Sequence, residues 1–299
     1  LDKEIVELID SLQKKDSLHM HINAMLNPST ENIDFYIDKG IYETDRLTVR
    51  SIKLFADGAL GSRGALLKIP YSDDPSSRGL QVAGTEYLEK ICRLAYNKGY
   101  QVNTHCIGDS AVSLVLGIYA SILPENNDCR WRIEHAQVVD PADLEMFKRY
   151  AIIPSVQTTH ATSDMYWAED RLGPVRIHYA YAYRSLLEQN GWIPNGSDFP
   201  VESINPVYGF YAAVARKDLK GMPSGGYHME QSLTRVQALK AMTIWAAKAS
   251  FGEKVRGSLE PGKDADFVVL DRDIMTVPED SIAGTRVLET WIKGKAQRW

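Results

Sequence analysis

The chain has 299 residues, of which 44% are hydrophobic, and its formal net charge is −5. That length supplies enough apolar side chains for one large core and a small additional domain, and the longest apolar runs fall short of the roughly 18 residues that span a bilayer. The acidic balance gives no basic surface for nucleic acid or an anionic membrane, so we expect a small-molecule substrate and neither of those partners.

Apolar, β-rich runs alternate along the chain with amphipathic helical segments, a pattern typical of βα units and a parallel sheet. The chain begins at Leu1 and enters a helical segment at once, at residues 4–14. Each later strand is followed by a segment with helix signals. The predicted strands are residues 18–26, 49–55, 100–105, 130–136, 151–157 and 192–197.

Capping residues and stop signals mark the predicted helices. Thr85 is a predicted N-cap and Gly99 a predicted stop, which gives a helix between them. Asp109 is a predicted N-cap of a helix that reaches residue 123, and Asp140 with Pro141 begins another. The remaining predicted helices are residues 179–189, 206–217 and 233–251.

Six strands are too few for an eight-stranded barrel, although residues 1–256 are about as long as such a barrel usually is. The fold class is therefore predicted as α/β, with an incomplete TIM (β/α)8-type barrel at 1–256. Residues 257–299 change character and contain two short apolar strands, at 266–271 and 286–292. They are predicted to form the C-terminal part of a small β-sandwich, a β-appendage to the barrel. Three cysteines without a C-x-x-C pair favour a reducing, cytoplasmic compartment.

Candidate metal ligands follow three of the predicted strands. His105 ends one strand, His135 ends the next, and Asp198 follows the strand at 192–197. The carboxyl ends of parallel barrel strands share one rim, which is where active sites form. Two imidazoles with a carboxylate suit zinc or a similar divalent ion. A structural role for either histidine remains the alternative.

A lysine interrupts the apolar strand at 49–55. A bare ammonium at Lys53 would be costly unless it is paired or chemically changed. An ion pair with Asp57 or Glu134 is the simplest alternative, although Glu134 should point away from the histidine that follows it. Asp109 is expected to be a helix cap and not a catalytic residue.

Six segments, in this order and spacing, resemble the YtcJ-like branch of amidohydrolase family 3. The resemblance covers nearly the whole chain. It rests on all six segments together, since no single motif is specific enough. The segments are IKLFADGALGSR (52–63), HCIGD (105–109), RIEHA (132–136), PSVQTTHATSD (154–164), GSDFPVE (196–202) and GSLEPGKDADFVVL (257–270).

The resemblance implies a hydrolase that uses one or two divalent ions, with zinc as the first choice. It implies that Lys53 is carboxylated by CO2 and binds metal together with His105 and His135. It implies that Asp198 binds metal and acts as the general base for a water that attacks an amide-type carbonyl. Arg63, His160 and Asp164 match substrate-facing loops of the family. Each of those three side chains could equally be a surface or supporting residue.

One part of the family pattern does not match. The first ligands of the family form a His-x-His pair at the end of strand one, whereas His19 and His21 lie in a run that resembles its third strand. We therefore expect the chain to be a fragment with about strands 3–8, whose exposed edges would favour a homo-oligomer. A non-catalytic binding or regulatory relative that keeps the scaffold is the alternative function.

Overall fold

A computed structural model describes residues 1–297 of the chain. The chain folds as two units, Leu1–Ile153 and Pro154–Trp299, which are called unit 1 and unit 2 below. The predicted division at residue 256 stays a prediction. Among residues 1–297, no helix combines the length and apolar character that a membrane span requires.

A six-stranded sheet with the order β1-β3-β4-β5-β6 organises unit 1, and β2 pairs with β3 beside this path. The β1–β3, β3–β4 and β4–β5 pairs are parallel, whereas β2 is antiparallel to β3. Ile153, the first residue of β6, donates its N–H to the carbonyl of Trp131 at 2.9 Å. The strands are β1 (Ile22–Leu26), β2 (Tyr42–Glu43), β3 (Leu47–Phe55), β4 (Gln101–Cys106), β5 (Arg132–His135) and β6 (Ile153–Ser155).

Five of the six predicted strands are confirmed as β1 and β3–β6, and β2 was not predicted. The sixth prediction, residues 192–197, is wrong: in the described chain it makes one isolated parallel bridge, between Asn195 and Val156. Pro194 has no N–H to donate to a ladder. The side chain of Asn195 instead bonds Thr158, where it accepts from the backbone N–H at 3.0 Å and donates to the hydroxyl at 2.9 Å.

Unit 1 contains five α-helices, and the helix predicted between Thr85 and Gly99 is confirmed as the third. Its buried residues are Leu88, Ile91, Cys92 and Ala95, and it ends at Gly99, which has a left-handed φ of 71°. Two predicted N-caps are wrong: glycines 84 and 108 hold the cap positions, and Thr85 and Asp109 are the first helical residues. The helices are α1 (Lys3–Lys14), α2 (Thr30–Asn32), α3 (Thr85–Lys98), α4 (Asp109–Ala120) and α5 (Leu144–Arg149).

Unit 2 is mainly helical. The segment 158–178, for which no helix is predicted, contains two helices. The single helix predicted at 233–251 is broken at Thr243, where φ and ψ are −125° and −97°. The capping box of Thr234 and Gln237 fixes the start of the first of these two halves. The helices are α6 (Thr158–Asp164), α7 (Ala168–Arg176), α8 (Tyr183–Asn190), α9 (Pro206–Ala215), α10 (Arg235–Met242) and α11 (Ile244–Ala249).

A separate three-stranded antiparallel sheet follows the helices, with the order β7-β8-β9. Its strands are β7 (Phe267–Leu270), β8 (Val287–Ile292) and β9 (Lys295–Ala296). The first two match the predicted strands, and the rings of Phe267 and Trp291 stack across them with centroids 5.5 Å apart. This sheet is the C-terminal β-appendage that the sequence predicts.

Candidate metal centre

Three of the predicted ligands lie near the carboxyl ends of adjacent parallel strands in unit 1. Lys53 is in β3, His105 is in β4, and His135 is the last residue of β5. The register places Phe55 opposite His105 and Cys106 opposite His135. The ring centroids of the two histidines are 4.5 Å apart. The structure thus brings the two imidazoles together at one edge of the sheet, as the sequence predicts.

The backbone at the end of β5 adopts an unusual conformation. His135 has a φ of 76° and Ala136 a φ of 43°, in the left-handed region that residues with a Cβ seldom occupy. The N–H of Val138 then donates to the carbonyl of Ile107 at 2.9 Å, which ties the turn to the end of β4. Left-handed residues of this kind cost free energy and concentrate at functional sites.

A buried carboxylate supports His105 from behind. The Oδ1 of Asp57 lies 3.6 Å from the Nε2 of His105. The same carboxylate accepts the backbone N–H groups of Ile107, Gly108 and Leu66 at 3.0, 2.8 and 2.9 Å. Burial raises the pKa of Asp57 to about 6, although the N–H donors oppose that rise. Sequence reasoning considered Asp57 only as an ion-pair partner and missed this positioning role.

The loop after β3 is fixed against the start of α4. At Gly108 a Cβ would lie 2.0 Å from the carbonyl oxygen of Leu66, so only glycine allows the two backbones to approach. The carboxylate of Asp109 accepts the N–H of Lys68 at 2.9 Å, and the Nζ of Lys68 reaches Asp140 at 2.7 Å. Asp109 therefore fixes this loop to the helix.

Lys53 is half-buried, and its Nζ lies 4.9 Å from the ring centroid of Phe55. Of the two carboxylates considered as its partners, Asp57 accepts three backbone N–H groups and Glu134 lies 2.7 Å from the Nε of Arg132. A half-buried amine on the strand next to two clustered imidazoles fits a site for a divalent cation once the amine is converted to an anionic ligand. Nitrogen donors backed by a carboxylate are also a usual arrangement around zinc.

Arg63 lies in the loop after β3, where its φ is 58°. Its Nε and Nη2 donate to the two carboxylate oxygens of Asp73 at 3.1 and 2.8 Å. This bidentate pair spans the loop and holds the guanidinium in one orientation. A role of Arg63 in substrate binding stays a prediction.

Two further predicted residues lie on α6 in unit 2, and not on a loop as the sequence suggested. His160 is only 8% exposed, so it is not a surface residue, and its Nε2 lies 3.8 Å from the Oδ2 of Asp198. Burial lowers the pKa of His160, which keeps the ring neutral at pH 7. Asp198 has a left-handed φ of 56°, and its side chain is 37% exposed. The structure therefore places a neutral imidazole beside the predicted catalytic carboxylate.

Asp164 ends α6 with its carboxylate against a buried tyrosine. The hydroxyl of Tyr181 donates to its Oδ2 at 2.9 Å. Burial raises the pKa of Asp164 to about 6, and the hydrogen bond from Tyr181 only partly offsets the rise. Asp164 is thus largely protonated in the folded chain at pH values where the unfolded chain is ionised.

We expect Asp164→Asn to change how stability depends on pH. The pKa of Asp164 is raised in the folded state, so the protonated side chain contributes to the stability of the fold. That contribution to the free energy of unfolding is complete below the unfolded pKa near 4 and is lost as pH rises through about 6. The difference in free energy of unfolding, parent minus Asp164→Asn, should therefore fall by about 1–2 kcal/mol as the pH rises from about 4 to about 6. Urea titrations of both proteins across this range measure the difference. A difference that is constant with pH would contradict the assignment.

Comparison with known proteins gives one family and several relatives. A family model described as "Amidohydrolase family" matches residues 3–296. YtcJ of Bacillus subtilis strain 168, which carries the name of an amidohydrolase, is 37% identical over 245 residues, covering 82% of this chain and 46% of that protein. "Protein LONG AFTER FAR-RED 3" of Arabidopsis thaliana is 36% identical over 266 residues, covering 88% of this chain and 45% of that protein.

A solved structure shows the same relationship. An uncharacterized metal-dependent hydrolase from Pyrococcus horikoshii superimposes with a TM-score of 0.81 at 31% identity, covering 93% of this chain and 56% of that one. The chain thus spans about half the length of the curated relatives that it matches.

Proposed function

The chain belongs to the amidohydrolase family, and we propose that it carries catalytic residues of a metal-dependent hydrolase that cleaves amide-type, non-peptide C–N bonds. The observation that carries the proposal is the pair of imidazoles, His105 and His135, clustered at the ends of β4 and β5. Similarity to a metal-dependent hydrolase of known structure supports it. A small molecule is the proposed substrate, since the chain is acidic overall.

We propose that Lys53, His105, His135 and Asp198 hold a divalent ion, with zinc as the first choice. When bound, such an ion polarises a carbonyl group and makes a water more acidic. The imidazoles bind through ring nitrogens, and the carboxylate of Asp57 lies 3.6 Å from the Nε2 of His105. The neutral amine of Lys53 attacks CO2, so that an N–C bond forms and a proton leaves. The product is an anionic ligand in place of a half-buried ammonium.

Asp198 is the proposed general base. Its carboxylate takes a proton from the attacking water, whose oxygen bonds to the carbonyl carbon of the substrate. The C–N bond then breaks, and the proton on Asp198 passes to the departing nitrogen, so the products are a carboxylate and an amine. The neutral ring of His160, 3.8 Å from Asp198, lies beside this carboxylate without adding a second charge.

The second candidate is a non-catalytic relative that uses the same scaffold for binding or regulation. One similar protein, "Protein LONG AFTER FAR-RED 3", has a name that states no hydrolytic activity. The presence of all four predicted ligands in this chain favours the hydrolase, because a binding protein has no need of them.

Metal analysis of variants tests the proposal. In the protein expressed from its complete gene, we expect His105→Gln and His135→Gln each to lower the tightly bound divalent metal at least about tenfold, because each removes a ligand. Elemental analysis after dialysis measures the content, and His19→Gln is the matched control. Circular dichroism confirms that each variant is folded. Full metal content in both variants would rule out this site.

A further inference from the structure

Unit 2 contains a second group of metal-binding side chains, among residues that have no part in the proposed hydrolysis. His178, His228 and Glu230 each offer one ligand atom, and these three atoms lie within 4.8 Å of one another. His178 belongs to the 3-10 turn Ile177–Tyr179, and Glu230 to the 3-10 turn Met229–Gln231, which His228 precedes. Two segments about fifty residues apart in sequence therefore meet here.

A buried arginine holds these two segments in place. Arg216 is fully buried, and its Nε donates to the carbonyl of Tyr227 at 2.7 Å while its Nη1 donates to the carbonyl of Tyr181 at 3.2 Å. The N–H of Tyr227 in turn donates to the carbonyl of Arg216 at 2.7 Å. Tyr227 immediately precedes His228, so the backbone that carries this ligand is fixed from inside the unit.

Hydrogen bonds from α8 to the segment after His228 complete this frame. The N–H of Ser185 donates to the Oε1 of Gln231 at 3.1 Å, and the Nε of Arg184 donates to the carbonyl of Ser232 at 3.0 Å. The ring of His228 also packs edge-on against Tyr227, with centroids 4.4 Å apart. Ligands on a preformed frame lose less conformational entropy on binding, and this favours affinity.

The side-chain geometry suits a small divalent ion. The Nδ1 of His228 lies 3.1 Å from the Oε1 of Glu230, and the rings of His178 and His228 have centroids 5.1 Å apart at 86°. Ligands about 2.0–2.1 Å from a tetrahedral ion are roughly 3.4 Å from each other. The pair of His228 and Glu230 already has nearly this spacing. His178 and Glu230 are exposed, so their side chains are able to close the remaining distance.

Glu230 supplies the negative charge of the group. An anionic carboxylate and two imidazoles are ligands that zinc and its neighbours in the first transition row prefer.

We propose that His178, His228 and Glu230 bind a divalent transition-metal ion of the zinc type, with water as the fourth ligand. The ion is separate from the one proposed for hydrolysis. The bound ion would crosslink the turn at 177–179 to the segment at 228–230 and so stabilise the backbone around Arg216.

Equilibrium dialysis against Zn²⁺ tests this site. We expect His178→Gln and His228→Gln each to lose one equivalent of bound Zn²⁺, seen as an increase of at least about tenfold in the dissociation constant. The double variant His105→Gln/His135→Gln should keep that equivalent, and His19→Gln should behave like the parent. Zn²⁺ should also raise the thermal midpoint of His105→Gln/His135→Gln, and adding His178→Gln to that variant should abolish the increase, because the metal link between the two turns is then lost.

The controls separate this inference from the proposed function. Loss of Zn²⁺ in His178→Gln and His228→Gln alone supports the second site, whatever the hydrolytic activity. If both variants bind Zn²⁺ with the stoichiometry and affinity of the parent, the second site does not exist. If the equivalent disappears only in His105→Gln/His135→Gln, the ion belongs to the other site and the inference is equally wrong.

Discussion

Asp198→Asn is expected to reduce kcat for amide-type substrates by about 10³-fold or more. Asparagine has nearly the shape of aspartate, but its amide cannot accept a proton from the attacking water, and general-base catalysis contributes about 10²–10⁴-fold to rate. The loss of an anionic metal ligand adds to the effect. Release of amine from a panel of N-formyl and N-acetyl amines measures kcat in the protein expressed from its complete gene.

The matched control is Asp170→Asn, which makes the same chemical change at an exposed position on α7. We expect this control to keep the activity of the parent. The side chain of Asp198 is 37% exposed and lies in a turn, so its replacement should leave the folded structure intact by circular dichroism. Undiminished hydrolysis by a folded Asp198→Asn protein would show that another group is the base.

The paired histidines are the part of the site that sequence predicts best. Apolar runs placed His105 and His135 at the ends of consecutive strands, and parallel strands share one edge. In the structure the rings lie 4.5 Å apart, although the register pairs His105 with Glu134, and the left-handed φ of 76° at His135 was not predictable from the strand pattern. The ends of buried strands can be predicted from sequence, because a buried strand is a run of apolar residues and the run stops where the strand ends.

Elements defined by polar interactions are harder to predict. Residues 158–164 read as a loop because they are rich in threonine, serine and aspartate, which compete with helix formation through their side chains. In the structure Thr158 and His160 are buried on α6, and the Oγ1 of Thr158 donates to the carbonyl of Gly209 at 2.6 Å. Contacts far apart in sequence override the local preference there.

Asp57 illustrates the same limit within the candidate site. Sequence shows only a carboxylate after a strand and before a glycine. Its three N–H donors come from two other segments of the chain, and its raised pKa results from burial that the fold creates. The aspartate at the end of β3 was a visible signal, but its effect on His105 depends on tertiary structure.

Arg216→Ala is expected to destabilise the chain by about 3–5 kcal/mol. The arginine is fully buried, and its guanidinium donates to the carbonyls of Tyr227 and Tyr181 and lies 5.2 Å from the ring centroid of Tyr183. Burial lowers the pKa of Arg216, because its charge is held away from water. Alanine removes both donors and leaves a cavity, so the thermal midpoint should fall by about 6–15 °C.

Arg216→Met separates the hydrogen bonds from the packing. Methionine fills much of the same space but donates no hydrogen bond, and it also avoids the cost of burying a charge. If the donors to Tyr227 and Tyr181 stabilise the frame, the midpoint of Arg216→Met should still fall by about 4 °C or more. Lys220→Ala, which removes an exposed cation nearby in sequence, should change the midpoint by less than about 2 °C. Equal midpoints for Arg216→Met and the parent would mean that Arg216 acts through its volume alone.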